Sequence, residues 1–256
     1  MQSNIVHIAT ALLLGFAAGR FRPLLSEAPN FPAPTMVATI PTAKTTFRDL
    51  PQLTGKDILF SALIEETRGV TIIPFDAKSA IHQSILEIIL RAAEECRTEF
   101  SGTNSPLRAV SRINEASRYF EDRLCQKIDA SPDFSCGIPL TSSGKQQRSG
   151  YPDLRVEHLP SGTVAYLDPK LFAQKSINST FRTFYYEPTS DSGKITENAL
   201  HLLLGFPHDS KTRAWTFGDP HLIDLSGLQV MLKAEFHASN KELYAGNMDL
   251  ERLTGF

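Results

Sequence analysis

The sequence predicts one α/β domain carrying an N-terminal extension, and three observations point there. Between Tyr151 and Lys170 apolar residues alternate along two runs separated by Ser161-Gly162, the period-two pattern of a β-hairpin. Upstream, the stretches from Ala77 to Phe100 and from Ser111 to Asp129 repeat apolar residues at three- and four-residue steps, as helices with one buried face do. The composition, 41% hydrophobic and 21% charged over 256 residues, supplies the material for a core and excludes global disorder. The net charge of −2 offers no basic excess advertising nucleic acid, although a local basic rim can still steer a phosphate backbone.

Met1 to Gly19 carries no Lys, Arg, Asp or Glu, and residues 5–19 are apolar apart from His7 and Thr10, with Arg20 and Arg22 closing the run. It is short for a membrane span and has the length of a signal-peptide core, but no basic leader precedes it. Three readings stand: a membrane association through residues 5–19 that keeps the body of the chain cytoplasmic, an exported chain, or a buried N-terminal helix. Prolines 23, 29, 32, 34, 41 and 51 then break any long helix or strand, so residues 23–55 read as an extended segment between the apolar residues 1–22 and a domain over 56–256.

Within that domain, Val70-Thr71-Ile72-Ile73 reads as a strand. In the helix from Ala77 to Phe100, Ile81, Ile85, Ile88, Ile89 and Ala92 form a core stripe, and Gly102 to Pro106 ends it. Ser105-Pro106 reads as the opening of the next helix, whose stripe is Ile113, Ala116, Phe120, Leu124 and Ile128. Asp133 to Gly150 is rich in Ser, Gly, Gln and Pro and reads as a loop; Ser143-Gly144-Lys145 within it is not the glycine-rich phosphate-binding motif, because the position five before Gly144 is Pro139 and not the required Gly. Cys96, Cys125 and Cys136 form no CxxC pair and have no His at zinc-ligand spacing, so free or buried thiols are the simplest expectation. If two of them join, Cys125 and Cys136 are nearest in sequence.

The hairpin is where chemistry enters. Alternate side chains of a strand share a face, so Asp168 and Lys170 do, and the turn can bring Asp153 beside them. Two carboxylates held together repel unless a hard divalent cation lies between them. Mg2+ is bound by one or two carboxylates together with waters and phosphate oxygens. A lysine next to that ion can orient a water or steady the charge of a pentacovalent phosphate. These are the parts of metal-assisted phosphodiester hydrolysis.

Pro152-Asp153, fourteen residues, then Asp168-Pro169-Lys170 resembles the signature of the PD-(D/E)xK nucleases, the restriction-endonuclease-like superfamily. The resemblance implies an α/β core with a mixed central sheet flanked by helices, Mg2+-dependent cleavage of DNA rather than RNA with Mn2+ able to substitute, and metal held by Asp153 and Asp168 with Lys170 on the water. It leaves a homodimer open. Many members add a helix acid followed by apolar residues three and seven positions later, which Glu121, Leu124 and Ile128 match. Glu121 is therefore the expected third catalytic and metal residue, while Glu115 and Asp122 compete for the role, or all three are solvated acids pairing with Arg118 and Arg123. One departure is Pro169, which stands where the family has an apolar strand-former. Proline cannot donate to a ladder, so the strand is expected to end or bulge there.

Downstream, Phe181 to Tyr186 reads as a strand, Glu197 to Leu204 as a short helix, and Leu228 to Phe236 as a closing strand. His201 and His208-Asp209 read as surface groups, since the further ligands of an HD phosphohydrolase cannot be found. Arg182, Lys211, Arg213 and Trp215 combine charge with an aromatic, the mix that phosphates and stacked bases favour; a solvated loop with one buried Trp accounts for the last three equally well. The rival function class is a non-catalytic, tethered or exported binding protein that keeps the fold. A metal-independent hydrolase is disfavoured, since no Gly-x-Ser-x-Gly elbow or Cys–His pairing is present.

Overall fold

The computed structural model describes residues 54–179, 184–188 and 193–233. The apolar run 5–19, the proline-rich segment up to Pro51, and Arg182 lie outside them. The elements are β1 (Asp57–Leu59), α1 (Phe60–Arg68), β2 (Ile72–Ile73), α2 (Ala80–Ser101), α3 (Ile113–Asp129), β3 (Phe134–Gly137), β4 (Leu154–His158), β5 (Thr163–Ala173), β6 (Ala199–His208), β7 (His221–Asp224) and β8 (Gln229–Met231).

The central sheet runs β2-β6-β5-β4-β3, with β7 sharing the β2 edge of β6. It is mixed: β4 is antiparallel to β3 and β5, β5 and β2 are parallel to β6, and β7 is antiparallel to β6. β1 and β8 form a separate antiparallel pair. The expected α/β class with a mixed, helix-flanked sheet is the observed one.

Helices α2 and α3 cover one sheet face. Their stripes (Ile85, Ile89, Cys96 and Phe100; Ala116, Phe120, Leu124 and Ile128) are buried against Leu154, Val156, Ala165, Leu167 and the even-numbered residues of β6 from Leu200 to Phe206. Phe120 is the hub, with ring centroids 4.5 Å from Phe100, 4.5 Å from Phe206 and 4.9 Å from Phe217. Ser79 starts α2 by accepting the His82 N–H on its hydroxyl. On the opposite face α1 brings Phe60 and Ile64 onto Ile72, Val164, Tyr166 and Ala199.

Several expectations need correction. Pro106 opens a short 3₁₀ turn over Pro106–Ala109, and α3 begins only at Ile113. The first residues of the loop 133–150 are strand β3. Glu197 to Leu204 is no helix: Ala199–His208 is the strand β6, and its Leu-rich run is buried on both faces, as a parallel central strand requires. Phe184 to Tyr186 form no strand; Phe184 and Tyr186 instead pack edge-on to Phe60, at 5.2 and 5.5 Å between centroids. The closing strand is only Gln229–Met231 within the described residues. Cys125 and Cys136 are joined as a disulfide, tying α3 to β3, while Cys96 is a free buried thiol. His201 and His208 are buried, not surface groups. Strand β5 neither ends nor bulges at Pro169 but runs on to Ala173. Pairing with β4 stops at Leu154–Leu167, so β5 has one open edge from Asp168 onward, where a proline breaks no ladder.

Among the described residues no helix is long and apolar enough to cross a membrane.

Candidate active site

Register sets the site. Leu154 pairs with Leu167 at the end of the β4–β5 ladder, so one further step puts Asp153 across from Asp168 on the sheet face that Tyr166 shares. Gly162, with φ of 67°, closes the intervening turn and donates its N–H to the His158 carbonyl at 2.9 Å. Lys170 follows Asp168 on that face. Its Nζ donates to Asp168 Oδ1 at 3.0 Å and to Asp153 Oδ2 at 3.4 Å. Asp168 is 1% exposed, and its Oδ2 is buried with no hydrogen-bond partner although the ammonium is near.

Burial dominates the electrostatics. It pushes the Asp168 carboxyl up to about 7, Lys170 opposing and the neighbouring Asp153 reinforcing. Burial works against the Lys170 ammonium too, but Asp168 and Asp153 outweigh it and its pKa is raised. The site thus holds more negative charge than one lysine neutralises.

Glu121, on α3 beside the buried Phe120, reaches the same neighbourhood. Burial and then the Asp153 charge raise its pKa, with Arg148 opposing. Arg148 Nη1 donates to Glu121 Oε2 at 3.2 Å and Nη2 to Asp122 Oδ1 at 2.6 Å. Asp122 also pairs with Arg118 at 3.7 Å, and Glu115 lines a surface groove with Arg118 and Tyr119. Among the described residues no three His, Cys, Asp or Glu side chains form a metal-binding cluster. The acids facing Lys170 are therefore a pair, with Glu121 set back against Arg148.

Two groups escaped sequence reasoning. Lys194 is 1% exposed and donates its Nζ to the Arg148 carbonyl at 3.4 Å. Burial lowers its pKa, while Asp153, Asp168 and Glu121, in that order, act the other way, so it is a second cation within the field of all three acids. A lone lysine between strands carries no spacing that could have flagged it. Tyr151, two residues before Asp153, is buried and its hydroxyl hydrogen-bonds His201 Nδ1 at 2.8 Å, the two rings stacking 5.8 Å apart. Burial drives His201 down to about 3, so the imidazole is neutral and anchors the chain just ahead of Asp153.

The aromatic and basic candidates fare differently. Trp215 is buried, donates Nε1 to the Val110 carbonyl at 3.4 Å and offers no free face to a base. Lys211 and Arg213 lie in an exposed loop, Lys211 pairing with Asp209 at 3.4 Å, and neither makes an ion pair with the three acids. Arg182 is outside the described residues.

Residues 53–247 match the model of the type II restriction enzyme MjaV family. Over 198 residues the chain is 33% identical to the type II restriction enzyme MjaV of Methanocaldococcus jannaschii, an alignment covering 73% of this chain and 85% of that protein.

Proposed function

The chain belongs to the type II restriction enzyme MjaV family, and from that membership we propose that it is a nuclease that hydrolyses phosphodiester bonds of DNA as an endonuclease. We further propose that the reaction uses a PD-(D/E)xK-type site composed of Asp153, Asp168 and Lys170, with Glu121 in support. The observation that carries this is the convergence of two carboxylates and an ammonium at 3.0 and 3.4 Å on one sheet face.

The donor set fits a hard divalent ion. Asp168 keeps one buried oxygen, Oδ2, that makes no hydrogen bond and only an ion pair with the Lys170 ammonium at 3.0 Å, and carboxylate oxygens of this kind suit Mg2+, or Mn2+ in its place. Asp153 and Asp168 would hold the ion; two protein carboxylates leave its remaining positions to water and phosphate, the usual pattern for Mg2+. The bound metal would supply charge neutralisation and a more acidic water. The residues do the rest. Lys170 is held by both acids, so its ammonium is fixed in place without reorganisation, ready to donate to a phosphate oxygen or orient the attacking water. Lys194, a cation that feels the charges of Asp153, Asp168 and Glu121, moderates the repulsion among them, and the Tyr151–His201 bond fixes the strand entry that carries Asp153.

Incubating supercoiled plasmid with the protein in Mg2+, in Mn2+ and in EDTA tests the reading. Double-strand cutting with either metal and none in EDTA is expected. Intact plasmid under all three conditions would leave a binding protein of the same fold.

A further inference from the structure

We propose that the loop Thr141–Arg148 is a reading head for DNA: Gln146 recognises the edge of a base in the major groove, and Lys145 holds the adjoining phosphate. The inference rests on the endonuclease reading above.

Placement comes first. The loop leads directly into Tyr151 and Asp153, and Arg148 at its end is clamped to α3 through Glu121 and Asp122 while its carbonyl accepts Lys194 Nζ. A duplex whose backbone lies at Asp153 and Asp168 is therefore within reach of this loop. Charge comes second. From Phe134 to Pro152 the chain has no Asp or Glu, and since Arg148 is paired with Glu121 and Asp122, Lys145 is the cation this run leaves exposed in a protein of net charge −2. This acid-free run adjoins a site made of acids, and favours contact with a polyanion over any other occupant.

The loop is also stiff and keeps functional groups free. Thr141 is buried and closes the turn: its N–H donates to the Lys145 carbonyl at 2.8 Å, and its hydroxyl accepts the Lys145 N–H at 3.1 Å. Leu140 and Gln146 form a bridge, Gly144 takes φ of 75°, and the Ser142 N–H donates to the Gly193 carbonyl at 2.9 Å, next to Lys194. The backbone is thus fixed on the residues beneath it, which lowers the ordering cost of binding. Lys145 and Gln146 are exposed on that fixed frame, and their side chains make no hydrogen bond or ion pair among the described residues. A glutamine amide presents a donor and an acceptor side by side, the pair that matches N6 and N7 of adenine, whereas a lysine matches phosphate as a point charge. Gln147 is already engaged, donating to the Ser149 carbonyl at 3.2 Å, so Gln146 is the reader.

The test is to digest a library of random duplexes with wild type, Gln146→Ala and Lys145→Ala and to sequence the cut ends. Gln146→Ala is expected to lose preference at one base pair of the cut-site pattern and to cut the best wild-type site at least ~10-fold more slowly, the scale of one lost bidentate base contact. Lys145→Ala should keep the pattern, weaken binding to all sequences alike and lower the salt slope by about one. Both changes are at exposed positions, and melting temperatures like that of wild type would show the folds intact. An unchanged pattern and rate for Gln146→Ala would overturn the loop assignment alone. Absence of cutting by the wild type would remove the endonuclease reading, and this inference with it.

Discussion

Lys170 Nζ donates to Asp168 Oδ1 at 3.0 Å, two residues back along the same strand, although Pro169 stands between them. The proline leaves the shared face undisturbed because β5 has an open edge there. The pair brings a buried carboxyl, raised to about 7, against an ammonium that the same acids stabilise.

Asp168 makes stability depend on pH in a defined direction. Its folded pKa lies above the ordinary carboxylate value, so folding favours the protonated form. No stability is lost below about pH 4, and it declines as pH rises toward about 7, at no more than about 1.4 kcal/mol per unit. Metal-free Asp168→Asn should therefore melt at or above wild type at pH 8 and close to it at pH 4. Mg2+ uptake by wild type should strengthen over the same window because the carboxyl must lose its proton. Calorimetric melting of both proteins across pH checks this; a wild type that gains stability relative to the variant as pH rises would contradict it.

Tyr151→Phe keeps the ring and deletes the hydroxyl bound to His201 Nδ1. Leaving that buried nitrogen unpaired should cost about 1–3 kcal/mol. If the bond holds the entry to Asp153, the Mg2+ concentration for half-maximal cleavage should rise several-fold. A change that only loosened the core would lower the melting temperature without moving the metal requirement. His201 itself should show no titration near its ordinary pH range by NMR, since burial keeps it neutral down to about pH 3.

Phe120→Ala should be among the most damaging core changes, because the ring is fully buried among Phe100, Phe206 and Phe217. A loss of about 3–5 kcal/mol is expected from chemical denaturation. Less than about 1 kcal/mol would mean that the helix-to-sheet interface is not organised around this residue.

How far the sequence could be read follows from which signals are local. The hairpin from Leu154 to Ala173 and the stripes of α2 and α3 were legible because alternation, a turn glycine and three- or four-residue steps are set by neighbouring residues. The Asp153, Asp168 and Lys170 constellation was legible for the same reason. β6 was not: its Leu200 to Leu204 run favours a helix by propensity, and only its placement between β5, β2 and β7 makes it a strand. Helix α1 has nine residues and no side-chain cap to announce it. The roles of Lys194, Arg148 and His201 depend on chain separations of 26 to 50 residues between hydrogen-bonded partners, which no local pattern encodes.

If Lys170 acts on a reaction whose metal is held by Asp153 and Asp168, Lys170→Ala and Asp153→Asn should part company when both are measured for Mg2+ binding by calorimetry and for plasmid cleavage. Lys170→Ala is predicted to bind Mg2+ yet cut slower by about 10²–10³-fold, the scale of losing one preorganised donor. Asp153→Asn is predicted to lose metal affinity and cleavage together, while its metal-free DNA binding holds or tightens as a negative charge leaves the phosphate path. Lys170→Ala cutting at the wild-type rate, or Asp153→Asn binding Mg2+ as wild type does, would rule out these roles for the three residues.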